Sequence, residues 1–303
     1  MLVLAKPHHA WVLLVLVYFL AACATSPEGR SKLTAPGGLQ GLSAVYSEFD
    51  MHLQLVTALN APACTEAECV ADRAFDQRIL VLGKRLADVA YRQHPQLRLR
   101  FPRFEFIIAD KLDAGAASSA GGTVVIYRGV RELQFDDAAL GFVLAREMGH
   151  IIGEHHDENV TTNILVTIAA QILLPMLNVA RGAVAAVSSS ASATTAIATT
   201  AASFAGARVL RASSRPAQVR EAENLAMKLV MADGWSSVDI SNQLSKLRAA
   251  LPGDPEWINE LRVSAAYISA LVQGPQLSEE ARAVAATRPT LPELQPRAVS
   301  APF

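Results

Sequence analysis

The sequence has almost no surplus charge, few cysteines and no long unbroken apolar run. Its 27 basic and 28 acidic side chains leave a net charge of −1, which removes any electrostatic reason to expect nucleic acid as a partner. Three cysteines allow no more than one internal bridge. No internal repeat is visible, so a solenoid is excluded. The apolar run from Ala10 to Leu20 is shorter than the roughly 20 residues of a spanning helix. Two further stretches, 160–180 and 182–207, carry no charge. Asn163, Gln171, Pro175 and Asn178 interrupt the first, and Ala, Ser and Thr dominate the second. Such residues gain little from lipid but let helices approach closely, so both stretches are read as buried or membrane-leaning helices rather than spans.

What is present begins with an export signal. Lys6 supplies a weak positive start, the apolar run follows, and small residues close it over 1–22. Leu20-Ala21-Ala22-Cys23 resembles the bacterial lipobox, which makes Cys23 the expected lipidation site and mature N-terminus. Ala24 after it resembles lipoproteins sorted to the outer membrane, facing the periplasm. Residues 23–40, rich in Ser, Pro and Gly, read as a flexible tether. In an oxidising envelope compartment Cys64 and Cys69 are able to pair. Residues five apart in one regular helix are too distant for a bridge, so pairing requires Cys64 to lie just outside a helix that starts near Thr65, where Thr65 and Glu68 form a capping box.

The rest, over 41–295, reads as one α+β domain, mostly α. A first helix carries Leu42, Val45, Tyr46, Phe49, Leu53 and Val56 on one face, and a second buries Phe75, Ile79, Leu82, Leu86 and Val89. Alternating Phe104, Phe106 and Ile108 indicate a strand, and Thr123 to Tyr127 a second one after a loop of small residues. Asp136 and Asp137 mark the start of a helix that continues through Ala139 to His156. Polar and amphipathic helices follow at 217–232, 236–250, 255–271 and 278–286.

The helix at 139–156 carries the chemistry. Arg146 and His150 stand four apart and project from one face, with Glu147 between them. A zinc peptidase helix places His, Glu and His at these positions: the imidazoles hold the metal and the carboxylate activates its water. Here the first histidine is an arginine, which stays protonated and has no lone pair to donate.

Four segments in order resemble the forty-eighth metallopeptidase family, the HtpX- and BepA-like zinc metalloproteases. Gly115 to Gly129 looks like its glycine-pair loop and edge strand, 138–155 like its metal helix, Arg220-Glu221-Ala222-Glu223 through Gly234-Trp235 like its Glu-Ala-Asp helix, and Thr287-Arg288-Pro289 like its Thr-His-Pro element. The resemblance implies a zincin-like (gluzincin) domain with a small sheet and an apolar helical insertion at 160–207. It implies His150, with Glu221 or Glu223, as the metal-facing set, Glu147 with Arg146 in the catalytic positions, and Thr123, Val124, Val125, Ile126 and Tyr127 as a substrate edge strand. It also exposes departures. Arg146 replaces the first ligand, Val219 falls at the third in an ungapped alignment, Arg288 replaces a histidine, and Gly115 and Ala120 replace asparagine and proline. A shift of one or two residues would return Glu221 to the ligand place.

These departures imply a degenerate site with no cofactor, zinc being required only if the chain is active. In that reading Arg146 pairs with Glu147, Glu221 or Glu223 in the metal's place. The competing reading keeps an active zinc metalloendopeptidase with His155, His156 or Asp157 as replacement ligands, which requires a distorted helix because His155 points away from His150 on a regular one. The expected partners are the membrane, through the lipid, and unfolded or assembling envelope proteins. No nucleic acid is expected.

Overall fold

The computed structural model describes residues 23–34, 40–164, 215–250 and 256–273. In chain order these form a hairpin of β1 (Cys23–Thr25) and β2 (Ser31–Leu33), helices α1 (Gln40–Thr57) and α2 (Glu66–Gln93), and strands β3 (Glu105–Ala109), β4 (Ala116–Ser118) and β5 (Thr123–Tyr127). Helices α3 (Asp137–Ile152), α4 (155–164), α5 (215–232), α6 (Ser237–Ala250) and α7 (Glu256–Gln273) complete the set. The domain is mostly helical with small sheets. The expected signal, nearly all of the uncharged insertion, the helix expected at 278–286 and the segment containing Arg288 lie outside the described residues. Among the described residues no helix is long and apolar enough to cross a membrane.

Local chemistry sets the helix starts. The Glu68 carboxylate accepts the Thr65 backbone N–H and hydroxyl, each at 2.8 Å, so a donor at the start of α2 is satisfied. The same bonds hold that carboxyl below the usual carboxylate range. Cys64, one residue outside the cap, is bridged to Cys69 with Cα atoms 5.3 Å apart. Along α2 the stripe Phe75, Ile79, Leu82, Leu86 and Val89 is buried. At α3 the Asp136 carboxylate accepts the Ala139 N–H at 2.9 Å. From Ala138 to Gly149 every residue of α3 is buried, so this helix is core on all sides, packed by α2, the sheet and α6. It meets α5 at Gly149, where a Cβ would fall 2.5 Å from the Ala222 carbonyl oxygen.

Two sequence expectations are corrected, and a third reading is completed. The segment Thr123 to Tyr127 is not an edge strand. The sheet order is β3-β5-β4, so β5 is central, parallel to β3 and antiparallel to β4. The small-residue loop folds back as β4 and takes the edge, and Val124, Val125 and Ile126 are fully buried. The tether expected from Cys23 is, through Leu33, a paired hairpin whose turn places Gly29 at φ +82°, a left-handed conformation that favours glycine. Finally, the apolar face of α1 is turned outward. Val45 is 70% exposed and Val56 80%, whereas Ser43, Ser47 and Met51 are buried. Ser43 donates to Asp157 at 2.6 Å and Ser47 accepts the Ala120 N–H at 2.9 Å, so hydrogen bonds seat the first half of this helix's inner face, and Met51 and Leu55 pack with Ala117 and Val125 in the second.

Candidate functional site

Helix α3 stops at Ile152, Gly153 caps it, and Glu154 adopts φ +58°. A non-glycine residue in that region is strained, and the Glu154 carboxylate is held by Lys32 and by Arg100, the latter at 3.4 Å. The reversal starts α4 at His155 and swings that ring back. The distortion that replacement ligation requires is therefore built into the backbone: His155 Nδ1 lies 2.9 Å from His150 Nδ1. On its other side His155 Nε2 lies 3.1 Å from Glu221 Oε2. The chain of bonds is self-consistent if His155 donates from Nε2 to the carboxylate and accepts from His150 at Nδ1.

Glu221 is held from a third direction by an element outside α3, α4 and α5. Arg30, on the hairpin, donates from Nε to Glu221 Oε2 at 2.7 Å and grips Glu158 with both terminal nitrogens at 3.0 and 2.7 Å. Gln218 also donates to Glu158, at 2.9 Å. Burial alone would push the Glu221 carboxyl up, but hydrogen bonds from His155, Ser26 and Arg30 hold it down at about 2. Glu221 is therefore an anion, and it shares the Arg30 cation with Glu158.

Arg146 lies in a separate part of the site. It is 3% exposed and pairs with Glu260 of α7 at 3.3 Å and Glu147 at 3.8 Å. Of the three pairings expected from sequence only the one with Glu147 forms. Glu221 is engaged by Arg30 instead. Glu223 accepts from Arg220 at 3.1 Å, and its carboxyl is raised by burial against the pull of Ser264, Arg220 and Arg146. Burial likewise raises Glu147, with Arg146 and Ser118 opposing it. Ser118 of β4 donates to Glu147 at 3.0 Å and lies 3.1 Å from His156 Nε2. Asp157 turns to Arg100 and Ser43 at 2.6 Å each.

The donor set does not fit zinc as arranged. His150 and His155 share a hydrogen bond, Glu221 approaches the far nitrogen of His155, and a buried guanidinium, that of Arg146, lies where the sequence leads one to expect a ligand. Among the described residues no three His, Cys, Asp or Glu groups converge on one point. Burial depresses His150, His155 and His156 below the free imidazole value, His156 to about 4 with His155 adding to the effect. Because His156 takes its proton later in the folded than in the unfolded chain, its contribution to stability is full above the ordinary value near 6.5 and is lost as pH falls towards 4. Its imidazole resonances, followed by NMR, are expected to titrate with a midpoint near 4; a midpoint near 6.5 would show the ring to be solvated.

The sequence reading missed Arg30, Lys32, Glu158, Ser118 and Glu260. Only Arg30 and Lys32 carried a signal, two cations at alternate positions, and it was hidden in a stretch of turn-forming residues.

The family model described as Peptidase family M48 matches residues 76–287, a span that includes α3, α4, α5 and the sheet. No curated protein and no solved structure matches the chain.

Proposed function

Because this chain belongs to peptidase family M48, whose members are typically zinc-dependent, we propose that it is a non-catalytic member that binds envelope polypeptides. The observation carrying this reading is Arg146, a buried, ion-paired guanidinium where the family's first ligand belongs. A fixed cation beside a divalent ion in a low-dielectric site opposes binding. Without metal, Glu147 has no activated water to deprotonate. We further propose that Cys23 carries a lipid anchor and holds the protein at the periplasmic face of the outer membrane, where unfolded or assembling proteins are its partners in quality control.

One observation favours a second reading, an active zinc metalloendopeptidase with replacement ligands: the break at Glu154 brings His155 to His150. Zinc measured by mass spectrometry in the mature chain purified from cells separates the two. Far less than one zinc per chain is expected, whereas about one per chain would overturn the non-catalytic reading. Arg146→His combined with Val219→Glu restores the family's ligand set and is expected to raise zinc content towards one per chain. Failure to do so would refute the assignment of these positions.

A further inference from the structure

We propose that Glu154, Glu158 and Glu221 form a binding socket for an extended basic segment of another polypeptide, arginine and lysine at alternate positions, which the chain's own Arg30-Ser31-Lys32 occupies in cis. The proposal rests on the reading of this site as a protein-binding one.

Three observations carry it. The socket is specific in geometry: Glu158 receives Arg30 with two parallel bonds at 3.0 and 2.7 Å, and Glu221 receives its Nε at 2.7 Å. That fork-to-carboxylate match selects a guanidinium over an ammonium. The acids are preformed by the body of the domain. Glu221 and Glu158 are 3% and 8% exposed at their side chains, one oriented by His155 and the other by Gln218. The ligand runs into β2 from the residue before it, and Arg30 and Lys32, two apart, both turn towards the body. Ser31 between them is exposed, while the Lys32 ammonium pairs with Glu154 and is buried.

The occupant is also detachable in principle. The sheet it belongs to contains only β1 and β2, and a two-stranded hairpin alone is marginally stable in water. Its hold on the body includes the pair of Lys228 with Glu28 at 2.7 Å, exposed on the lysine side, and such pairs contribute little. A competing segment has to overcome the high effective concentration of a tethered ligand, which makes the hairpin a threshold as well as an occupant.

The test uses the full mature chain with Arg30→Ala and Lys32→Ala, and a fluorescent peptide spanning residues 24–34. Fluorescence anisotropy is expected to show saturable binding that weakens as salt is raised. Binding is expected to fall by about tenfold or more when the peptide's own arginine is replaced by alanine, or when the chain also carries Glu158→Gln and Glu221→Gln. A vacated chain that keeps its helical circular dichroism yet binds neither peptide, or both equally, overturns the proposal. If that variant does not fold, hydrogen exchange on the wild-type chain decides: excess peptide should speed exchange of residues 24–33, and unchanged exchange overturns it. Zinc content of the same preparation bears only on the non-catalytic reading, so the two failures are separable.

Discussion

Replacing Arg146 with methionine is expected to cost up to about 3 kcal/mol of stability at pH 7. The side chain is 3% exposed, and methionine fills much the same volume, so packing is not the main loss. The loss is electrostatic. Glu260 keeps Arg215 as a partner, but Glu147 loses the arginine that most opposes its desolvation and keeps the Ser118 hydrogen bond and the weaker field of Arg215. Its escape is to bind a proton. Holding neutral at pH 7 a carboxyl that ionises near 4.5 when unfolded limits the penalty to about 3 kcal/mol. Two consequences separate this account from a steric one. A group whose folded value is raised destabilises above its unfolded value and ceases to do so as pH falls to it, so the penalty should shrink towards zero near pH 4.5. Adding Glu147→Gln should recover most of the loss, because removing both partners leaves no unpaired charge. Denaturant titrations of the three variants at pH 7 and pH 5 measure both; a pH-independent penalty would mean that Arg146 acts through packing.

The second large effect is expected at Gly149. Alanine there gains about 1 kcal/mol of helix propensity. Against this, its Cβ would sit 2.5 Å from the Ala222 carbonyl oxygen and 2.9 Å from the Ala222 Cα. These are backbone atoms of a neighbouring helix, and no rotamer change moves them. Overpacking of a core commonly costs 1–3 kcal/mol and sometimes more; a clash with fixed backbone belongs at the upper end, so a net loss of about 2 kcal/mol follows, or roughly 4–8 °C in Tm for a domain of this size. Separation of α3 from α5 would also pull His155 from Glu221, so the depressed carboxyl of Glu221 should relax upward. Thermal unfolding with carboxyl titration reads both effects; a variant as stable as wild type would show that the helices already stand further apart.

The elements legible in sequence were those whose signal is local. The capping box at Thr65, the stripe from Phe75 to Val89 and the Asp136 cap each depend on residues three or four apart. The helix at α3 was also readable, except for its end: Ile151 and Ile152 carry the apolar stripe up to Gly153, and the reversal falls at Glu154, a residue type that rarely adopts a positive φ. Strand β4 was invisible because Ala-Ala-Ser has no strand propensity and owes its conformation to β5. For α1 the period revealed a helix but not which face turns inward, since serine hydroxyls that find Asp157 and a backbone amide were not expected to outcompete Leu, Val and Phe. The site was half legible. Arg146, Glu147, His150 and Glu221 announce themselves by spacing and by resemblance. Arg30, Glu158 and Glu260 reach it through pairings between distant parts of the chain, and no local pattern encodes those.

The separation of Arg30 from its partners has a consequence in time. Its bonds span 128 residues to Glu158 and 191 to Glu221. At about 5–20 residues per second, synthesis of the second carboxylate trails that of the arginine by roughly 10–40 s. The hairpin is thus among the first parts of the described protein to be made and among the last to find its place.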